Sequence, residues 1–249
     1  MQTLFDKVYP FTTEMISGYF KEIDFKDKTV LTVGSSSDQA FNALLLGAKK
    51  IKVYDINVNT AKFGKIKKDI ILNSSSRIEM YQQVLSFKGI PQSKDVFSIE
   101  SLYRMNSYMS SEENFKKLQQ ILKNSNIEYT LGDLTKLDNL DNEIFDIIIT
   151  SNALQYIDLY INKTDNPYIK LREIFNKLKA HLSDEGILQL LYHYGFSKDS
   201  LCRDDGSSTR NLKKVYEALK GELLYLYTFN DFMDSGKSKD AVVVYEKMR

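Results

Sequence analysis

Residues 29–41 read Thr29-Val30-Leu31-Thr32-Val33-Gly34-Ser35-Ser36-Ser37-Asp38-Gln39-Ala40-Phe41, and this stretch decides the fold of the chain. The apolar, β-branched run predicts a strand that ends at Gly34, and the small polar residues after it lead into an amphipathic helix. A second predicted strand, residues 50–54, is followed directly by Asp55. This order is typical of the first βαβ unit of a nucleotide-type α/β fold, with an acid placed for a ribose.

The rest of the chain continues the alternation of strands and helices. After the first strand, at 28–33, and its helix, at 38–46, the apolar runs predict strands at 127–131, 144–150 and 187–191, with helices from 167 and over 211–219. Two last strands, at 222–229 and 240–246, have no helix between them and must therefore pair antiparallel. We predict an α/β fold with a Rossmann-like, seven-stranded, mostly parallel sheet that ends in an antiparallel hairpin.

Two helical additions accompany this sheet. Residues 11–23 carry an apolar helical stripe, so the N-terminal segment, 1–26, is predicted to be helical. Residues 73–126 are too long for a minimal crossover and are interpreted as an inserted helical cap, in which Ser110 and Glu113 form a capping box. Three residues of the cap either face a substrate or pack within the cap: Tyr103, Met105 and Tyr108. One domain over 1–249 is expected.

The composition excludes several classes of protein. The 249 residues are 43% hydrophobic, and 34 basic against 33 acidic side chains give a net charge of +1, which indicates neither a nucleic-acid partner nor a membrane surface. No apolar stretch approaches the ~20 residues of a membrane span, and no signal-peptide pattern is present. A single cysteine, Cys202, rules out an internal disulfide and favours the cytoplasm. One cysteine and two histidines cannot form a zinc cage. A carboxylate-bound metal is the alternative, but no spacing of acids supports one, and no metal site is predicted.

The loop after the first strand argues against a pyrophosphate ligand. A dinucleotide site requires the pattern G-x-G-x-x-G, but here Ser36 and Gln39 stand in the second and third glycine positions. A ligand without phosphates, such as S-adenosylmethionine (SAM), makes no such demand. Backbone amides, the serine hydroxyls that begin at Ser35, and the helix N-terminus would receive its amino-acid end. Asp38 either contributes there or is only an acid in the first turn of the helix.

Other polar residues follow the predicted strand ends. Asp55 would accept hydrogen bonds from ribose hydroxyls, or else caps the next helix. Asp133 follows the third strand, where it would accept from an adenine amino group with Leu134 or Ile56 against the ring; the alternative is an exposed turn acid. The fourth strand ends in the same crevice with three further candidates: Ser151, Asn152 and Tyr156.

The sequence offers little that is specific to catalysis. Methyl transfer from a sulfonium depends on in-line positioning more than on acid–base chemistry. Tyr192 and His193 follow the fifth predicted strand, where an acceptor would approach, and His193 is a candidate to accept its proton. A purely structural histidine is the alternative.

The helix predicted over 59–72 carries a cluster of lysines. Phe63, Ile66 and Ile70 are expected to face inward. The lysines are interpreted as a solvated helix face rather than an anion-binding platform: Lys62, Lys65, Lys67 and Lys68.

These segments resemble class I SAM-dependent methyltransferases over residues 27–249, at Gly34, Asp55, Asp133 and the run from Phe145 to Asn152. More narrowly, residues 31–40, 45–48 and 54–57 resemble the SAM:diacylglycerol 3-amino-3-carboxypropyl transferases of betaine-lipid synthesis. The resemblance implies that Asp38 and Gln39 lie near the amino-acid end of the cofactor and that Asp55 holds its ribose. The complete set of predicted cofactor-binding residues is Gly34, Ser35, Ser36, Asp38, Gln39, Asp55, Ile56, Asp133, Leu134, Ser151, Asn152 and Tyr156.

Three functions follow from the sequence as alternatives. The first is methyl transfer from SAM to a small-molecule acceptor, which is the default for the fold. The second is transfer of the 3-amino-3-carboxypropyl group of SAM, with a lipid-like acceptor in the branch that the loop resembles. The third, from another class, is a non-catalytic module that binds SAM or a nucleoside. Nothing in the sequence indicates an oligomeric state.

Overall fold

A computed structural model describes residues 7–34, 36–159, 165–196, 211–231 and 239–248. The strands are β1 (Thr29–Val33), β2 (Lys50–Asp55), β3 (Ile127–Leu131), β4 (Phe145–Ile149), β5 (Leu182–Phe196), β6 (Leu224–Asn230) and β7 (Lys239–Glu246). The helices are α1 (Ile16–Phe20), α2 (Asp38–Leu45), α3 (Thr60–Asn73), α4 (Arg77–Ser86), α5 (Ile99–Met105), α6 (Glu112–Asn124), α7 (Pro167–Ala180) and α8 (Leu212–Ala218), with 3₁₀ turns over Ser107–Met109 and Ala153–Leu159.

The seven strands have the order β3-β2-β1-β4-β5-β7-β6. Strands β1, β2 and β3 pair in parallel, as do β4 and β5, whereas β7 runs antiparallel to both β5 and β6. The predicted seven-stranded, mostly parallel sheet with an antiparallel C-terminal hairpin is confirmed.

The chain divides into two compact units, Met1–Asp133 and Leu134–Arg249, which are described separately. The single domain expected from the sequence stays a prediction.

In the first unit, helices α2 and α3 pack on the three parallel strands. Val30, Ile51 and Val53 are buried in the strands, and Phe41 of α2 and Phe63 of α3 are buried in the helices. Because both faces of parallel strands are normally covered by helices, such strands are rich in β-branched residues, as these are. The crossovers leave the carboxyl ends of β1, β2 and β3 at one edge.

The inserted residues of the first unit are helical, as predicted, but the start of α6 is shifted by one residue. The Oγ atom of Ser111, and not that of Ser110, accepts the hydrogen bond that caps the helix, from the amide of Asn114 at 3.0 Å. Ser110 instead closes the preceding 3₁₀ turn, because its amide donates to the carbonyl of Ser107. Met105 and Tyr108 are buried within the unit, and the ring of Tyr108 contacts Phe41 of α2. The two alternatives for the cap residues stay predictions.

The N-terminal helix is much shorter than the predicted 11–23. Helix α1 covers only Ile16–Phe20. The preceding amides are taken by side chains: Thr12 donates to Asp38 at 2.6 Å, and Glu14 donates to the hydroxyl of Thr12 at 3.0 Å. Side-chain acceptors of this kind compete with the helical hydrogen bonds and hold the backbone in a different conformation.

In the second unit, β5 extends well beyond the predicted 187–191. It covers Leu182–Phe196 because β7 pairs antiparallel along it, from Ile187 opposite Glu246 to Phe196 opposite Lys239. The polar residues after Leu191 therefore belong to the strand and do not follow it. Helix α7 begins as predicted, with Asn166 accepting from the amide of Tyr168 at 2.9 Å and proline at its first position.

Within the described ranges, no helix is long and apolar enough to cross a membrane. The same residues contain no group of three or more His, Cys, Asp or Glu side chains that could hold a metal ion. Cys202 lies outside the described residues.

Candidate functional site

The carboxyl ends of the three strands in the first unit meet through direct hydrogen bonds. The amide of Gly34, after β1, donates to Oδ2 of Asp55, at the end of β2, at 3.1 Å. The amide of Gly132, after β3, donates to the carbonyl of Asp55 at 3.0 Å. The hydroxyl of Tyr54 donates to the carbonyl of Asp133 at 3.4 Å. The structure thus brings Gly34, Asp55 and Asp133 to one rim.

Only glycine fits at position 34. A Cβ atom there would lie 2.2 Å from the Thr60 methyl group and 2.7 Å from Oδ2 of Asp55. The missing side chain therefore lets the carboxylate of Asp55 lie against the loop. Its other oxygen accepts from the amide of Asn57 at 2.8 Å. Asp55 is half-buried, and these two hydrogen bonds hold its carboxylate at the rim.

Thr60, which opens α3, is a rim residue that the sequence reasoning missed. Its side chain is buried against Gly34, and its hydroxyl has no hydrogen-bond partner among the residues the structure describes. Buried hydroxyls normally have a partner, because leaving one unsatisfied costs about 1–3 kcal/mol. An orphaned hydroxyl beside Gly34 and Asp55 is consistent with a polar ligand at this rim.

The loop after β1 is a tight turn. The amide of Ser37 donates to the carbonyl of Gly34 at 2.7 Å, and Ser37 has φ of +62°, in the left-handed region. The hydroxyl of Ser37 lies 3.3 Å from that of Tyr129, whose pKa is raised to about 12 by burial. Ser36 is buried, and its hydroxyl accepts from the amide of Asp38 at 3.3 Å. Ser35 lies outside the described residues.

Asp38 is enclosed by protein on all sides. Its Oδ1 atom accepts from the ammonium of Lys67 at 2.6 Å and from the hydroxyl of Tyr108 at 2.7 Å. Its Oδ2 atom accepts from the amide of Thr12 at 2.6 Å. The side chain is 0% exposed. In this structure the carboxylate therefore anchors the N-terminal segment and the inserted helices to α2.

Lys67 overturns the prediction of a wholly solvated lysine face. Its side chain is 0% exposed, whereas Lys62 and Lys65 of the same helix are exposed and Lys68 is half-buried. Besides Asp38, its ammonium donates to the carbonyl of Pro10 at 2.7 Å and to that of Ser36 at 3.1 Å.

The sequence does contain a signal for this burial. Phe63, Lys67 and Ile71 are spaced by four residues and share one helix face, and all three are buried. The predicted inward positions, Ile66 and Ile70, are only half-buried.

Burial acts on the ionisable groups around Asp38. It lowers the pKa of Lys67, while the negative charge of Asp38 and the hydrogen bond to it oppose the change. Burial also raises the pKa of Tyr108 well above its ordinary value, and the charge of Asp38 adds to the rise. A buried charge is tolerated only when it is paired and hydrogen-bonded, and here one carboxylate and one ammonium satisfy each other.

The remaining candidates of the first unit differ in exposure. Ile56 follows Asp55 and is 36% exposed, which leaves an apolar side chain accessible beside the carboxylate. Asp133 is half-buried after β3. Gln39 is buried in the first turn of α2.

In the second unit, the polar residues after β4 are held to β5. Ser151 has φ of +58°, and its amide donates to Oε1 of Gln189 at 2.8 Å. The side-chain amide of Asn152 donates to the hydroxyl of Tyr194 at 3.2 Å. Tyr156 is exposed in the following 3₁₀ turn, and Leu134, which begins this unit, is half-buried.

The two candidate catalytic residues lie inside β5. Tyr192 is fully buried, and its hydroxyl donates to Oδ2 of Asp240 in β7 at 2.5 Å. His193 is 5% exposed and stands opposite Ala241. Tyr194, whose ring packs against that of Tyr192, is 39% exposed. Tyr194 is therefore the aromatic residue of this run that a ligand could reach.

Comparison with known proteins identifies the fold. No protein-family model matches the chain, and no curated protein matches it. Among solved structures, the protein PH0226 from Pyrococcus horikoshii OT3 is similar at a TM-score of 0.51 and 13% identity, over 93% of this chain and 89% of that one. The DhpI–SAH complex is similar at 0.50 and 8% identity, over 94% and 84%. The chain has the fold of these proteins.

A further similar structure is the N-methyltransferase NodS from Bradyrhizobium japonicum WM9 in complex with S-adenosyl-L-homocysteine (SAH). It has a TM-score of 0.45 and 11% identity, over 90% of this chain and 80% of that one.

Proposed function

We propose that this chain binds SAM and catalyses the transfer of a group from it, most simply a methyl group to a small-molecule acceptor. The observation that carries the proposal is the contact between the amide of Gly34 and the carboxylate of Asp55 at the rim of β1 and β2. It places an acid beside a glycine turn, which is the arrangement that holds a ribose in nucleotide-type α/β folds. The fold shared with DhpI, whose structure contains SAH, supports the proposal.

The residues at this rim fit an adenosyl ligand without phosphates. The carboxylate of Asp55 is an acceptor for ribose hydroxyls, and exposed Ile56 offers an apolar surface for a purine. Ser36 occupies the position where a pyrophosphate would require glycine, and its side chain is buried beneath the loop. The donors and acceptors present therefore favour SAM over a dinucleotide.

When bound, SAM supplies a carbon activated by the neighbouring sulfonium. The contribution of the chain is to bind and orient, because such a transfer gains most from positioning. In the proposal, Asp55 orients the ribose. Tyr192 and His193 stay predicted catalytic residues, although both side chains are buried within β5.

The second candidate is transfer of the 3-amino-3-carboxypropyl group, with a lipid-like acceptor. The resemblance of the loop to that branch favours it, and it implies that Asp38 lies near the amino-acid end of the cofactor. The enclosure of Asp38 by Lys67, Tyr108 and Thr12 leaves that carboxylate no exposed oxygen. We therefore place methyl transfer first.

Ligand binding tests the proposal directly. Titration of the unmodified chain with SAM and SAH should give saturable binding, and Asp55→Ala should weaken it by about 1–3 kcal/mol through lost charge-assisted hydrogen bonds. Asp69→Ala changes an exposed acid of α3 and serves as the matched control. Tight binding of NADH without binding of SAM would overturn the proposal.

The nucleoside by-product separates the alternatives. Incubation with SAM and a cell extract should release SAH if a methyl group is transferred, and methylthioadenosine if the aminocarboxypropyl group is transferred. SAM that is bound but not consumed with any extract would favour the non-catalytic module.

A further inference from the structure

A short segment at the start of the described chain crosses the candidate site. Residues 7–14, which we call the N-terminal strap, contact the residues that follow two strands of the rim. The carbonyl of Lys7 accepts from the side-chain amide of Asn57, two positions after Asp55, at 2.9 Å. The amide of Thr12 donates to Asp38, in the first turn after the Gly34 loop, at 2.6 Å. The strap thus runs from the end of β2 to the start of α2.

The strap is also tied to the inserted helices. Val8 forms a parallel bridge with Gln92, with its amide donating to the carbonyl of Pro91 at 3.0 Å. The ring of Phe11 stacks on that of Tyr81 at 5.6 Å between centroids. The insertion therefore holds the strap at Val8 and Phe11, and Asp38 holds it at Thr12.

The side chain of Lys67 joins the strap to the loop. The ammonium of Lys67 donates to Pro10 in the strap at 2.7 Å, to Ser36 in the loop at 3.1 Å and to Asp38 at 2.6 Å. It also lies 4.4 Å from the centroid of the Phe11 ring. A lysine has only three N–H donors, so all of them are used on oxygens of the strap and the loop.

From this geometry we propose that Lys67 is a positioning residue for the cofactor site, acting by holding the N-terminal strap and residues 36–38 in one arrangement. The inference rests on the proposed function, because the ligand whose affinity it sets is SAM or its product. Asp38 and Tyr108 belong to the same hydrogen-bond network. Asp38 is the shared acceptor, and the hydroxyl of Tyr108 donates to it from the insertion. None of the three side chains touches the ligand in this proposal.

The test compares two buried lysines. Lys67→Met with Asp38→Asn removes both charges together, so that no unpaired charge stays buried. Lys52→Met is the matched control, because Lys52 is also buried and its ammonium pairs with Glu128 of β3 at 2.7 Å. We expect the double variant to bind SAH about tenfold more weakly and the control to bind normally, since positioning and not fold integrity is lost.

A second measurement uses the unmodified chain and does not depend on whether the variants fold. Hydrogen exchange of the amides of Val8, Thr12 and Ser93, all of which donate hydrogen bonds in the strap or to it, should slow when SAH is saturating. Exchange unchanged by SAH, or a double variant that binds SAH as tightly as Lys52→Met does, would overturn the inference and leave the proposed function standing. Failure of the unmodified chain to bind SAM and SAH would overturn both.

Discussion

Two acids at the same rim have opposite environments. Asp38 lies behind the Gly34 loop, is fully buried, and accepts hydrogen bonds from a lysine, a tyrosine and a backbone amide. Asp55 lies at the end of β2, is half-buried, and accepts from two backbone amides. The first carboxylate is fully enclosed by the protein, and the second is partly exposed. The difference indicates that Asp38 stabilises the structure around the loop, whereas Asp55 is accessible to a ligand.

The strongest way to break this comparison is to remove the cation beside Asp38. Lys67→Met leaves a buried carboxylate without its counter-charge, so the free energy of unfolding should fall by about 3–5 kcal/mol. Urea unfolding measures the loss. Lys62→Met, on the exposed face of the same helix, should change stability by no more than about 0.5 kcal/mol. Equal losses for the two variants would show that Lys67 is not the buried partner of Asp38.

Gly34→Ala tests how closely the loop lies against Asp55. The new methyl group would stand 2.2 Å from Thr60 and 2.7 Å from Asp55, so the rim must shift. We expect a loss of about 1–3 kcal/mol in unfolding free energy from overpacking, with a weaker affinity for SAH as well. Calorimetric unfolding and SAH titration measure the two effects. An unchanged affinity for SAH would separate this loop from the ligand site.

Asp55→Asn tests whether Asp55 contributes more to the binding of SAH than to the stability of the fold. The change keeps the shape of the side chain and removes its charge. Binding of SAH should weaken by about 1–3 kcal/mol. The unfolding free energy should fall by only about 1 kcal/mol, because the single asparagine oxygen still accepts from one of the two backbone amides and only the other amide loses its acceptor. The prediction fails if stability falls further than binding does, since Asp55 would then resemble Asp38.

The smallest effect at neutral pH is expected at Tyr129, beneath the loop. Tyr129→Phe removes the contact with Ser37 and should cost about 1 kcal/mol or less. Burial raises the pKa of Tyr129 from an ordinary value of 10.0 to about 12, so between these values the unfolded chain releases the proton first. The stability of the unmodified chain should therefore fall as pH rises through this window, and that of the Phe variant should fall less. Parallel pH dependences would contradict the burial of Tyr129.

Much of the fold was predictable because its signals are local. The apolar run before Gly34, the acid after β2, and two last strands without a helix between them predict the sheet and its hairpin correctly. The length of β5 was not predictable in the same way. Tyr192, His193 and Tyr194 resemble a polar loop in the sequence, and only pairing with β7 makes them part of a strand.

In the candidate site, too, the features with local signals were predictable and the long-range contacts were not. Gly34 and Asp55 were predicted from their positions after neighbouring strands, and the structure places them in contact. The partners of Asp38 were missed because Thr12 and Tyr108 are distant in the chain, and because a lysine is ordinarily a surface residue. The spacing of Phe63, Lys67 and Ile71 was the available clue, since a charged residue in the middle of an apolar stripe requires a buried counter-charge.

The position of β7 between β5 and β6 affects how the second unit folds during synthesis. Strand β6 is synthesised before β7, yet its described pairing partner is β7. On the ribosome, β5 and β6 therefore both expose unpaired backbone edges until residues 239–246 emerge. Exposed edges of this kind invite pairing with other chains. The interval before β7 arrives is thus a stage at which a nascent chain of this protein is open to capture by chaperones or by its own copies.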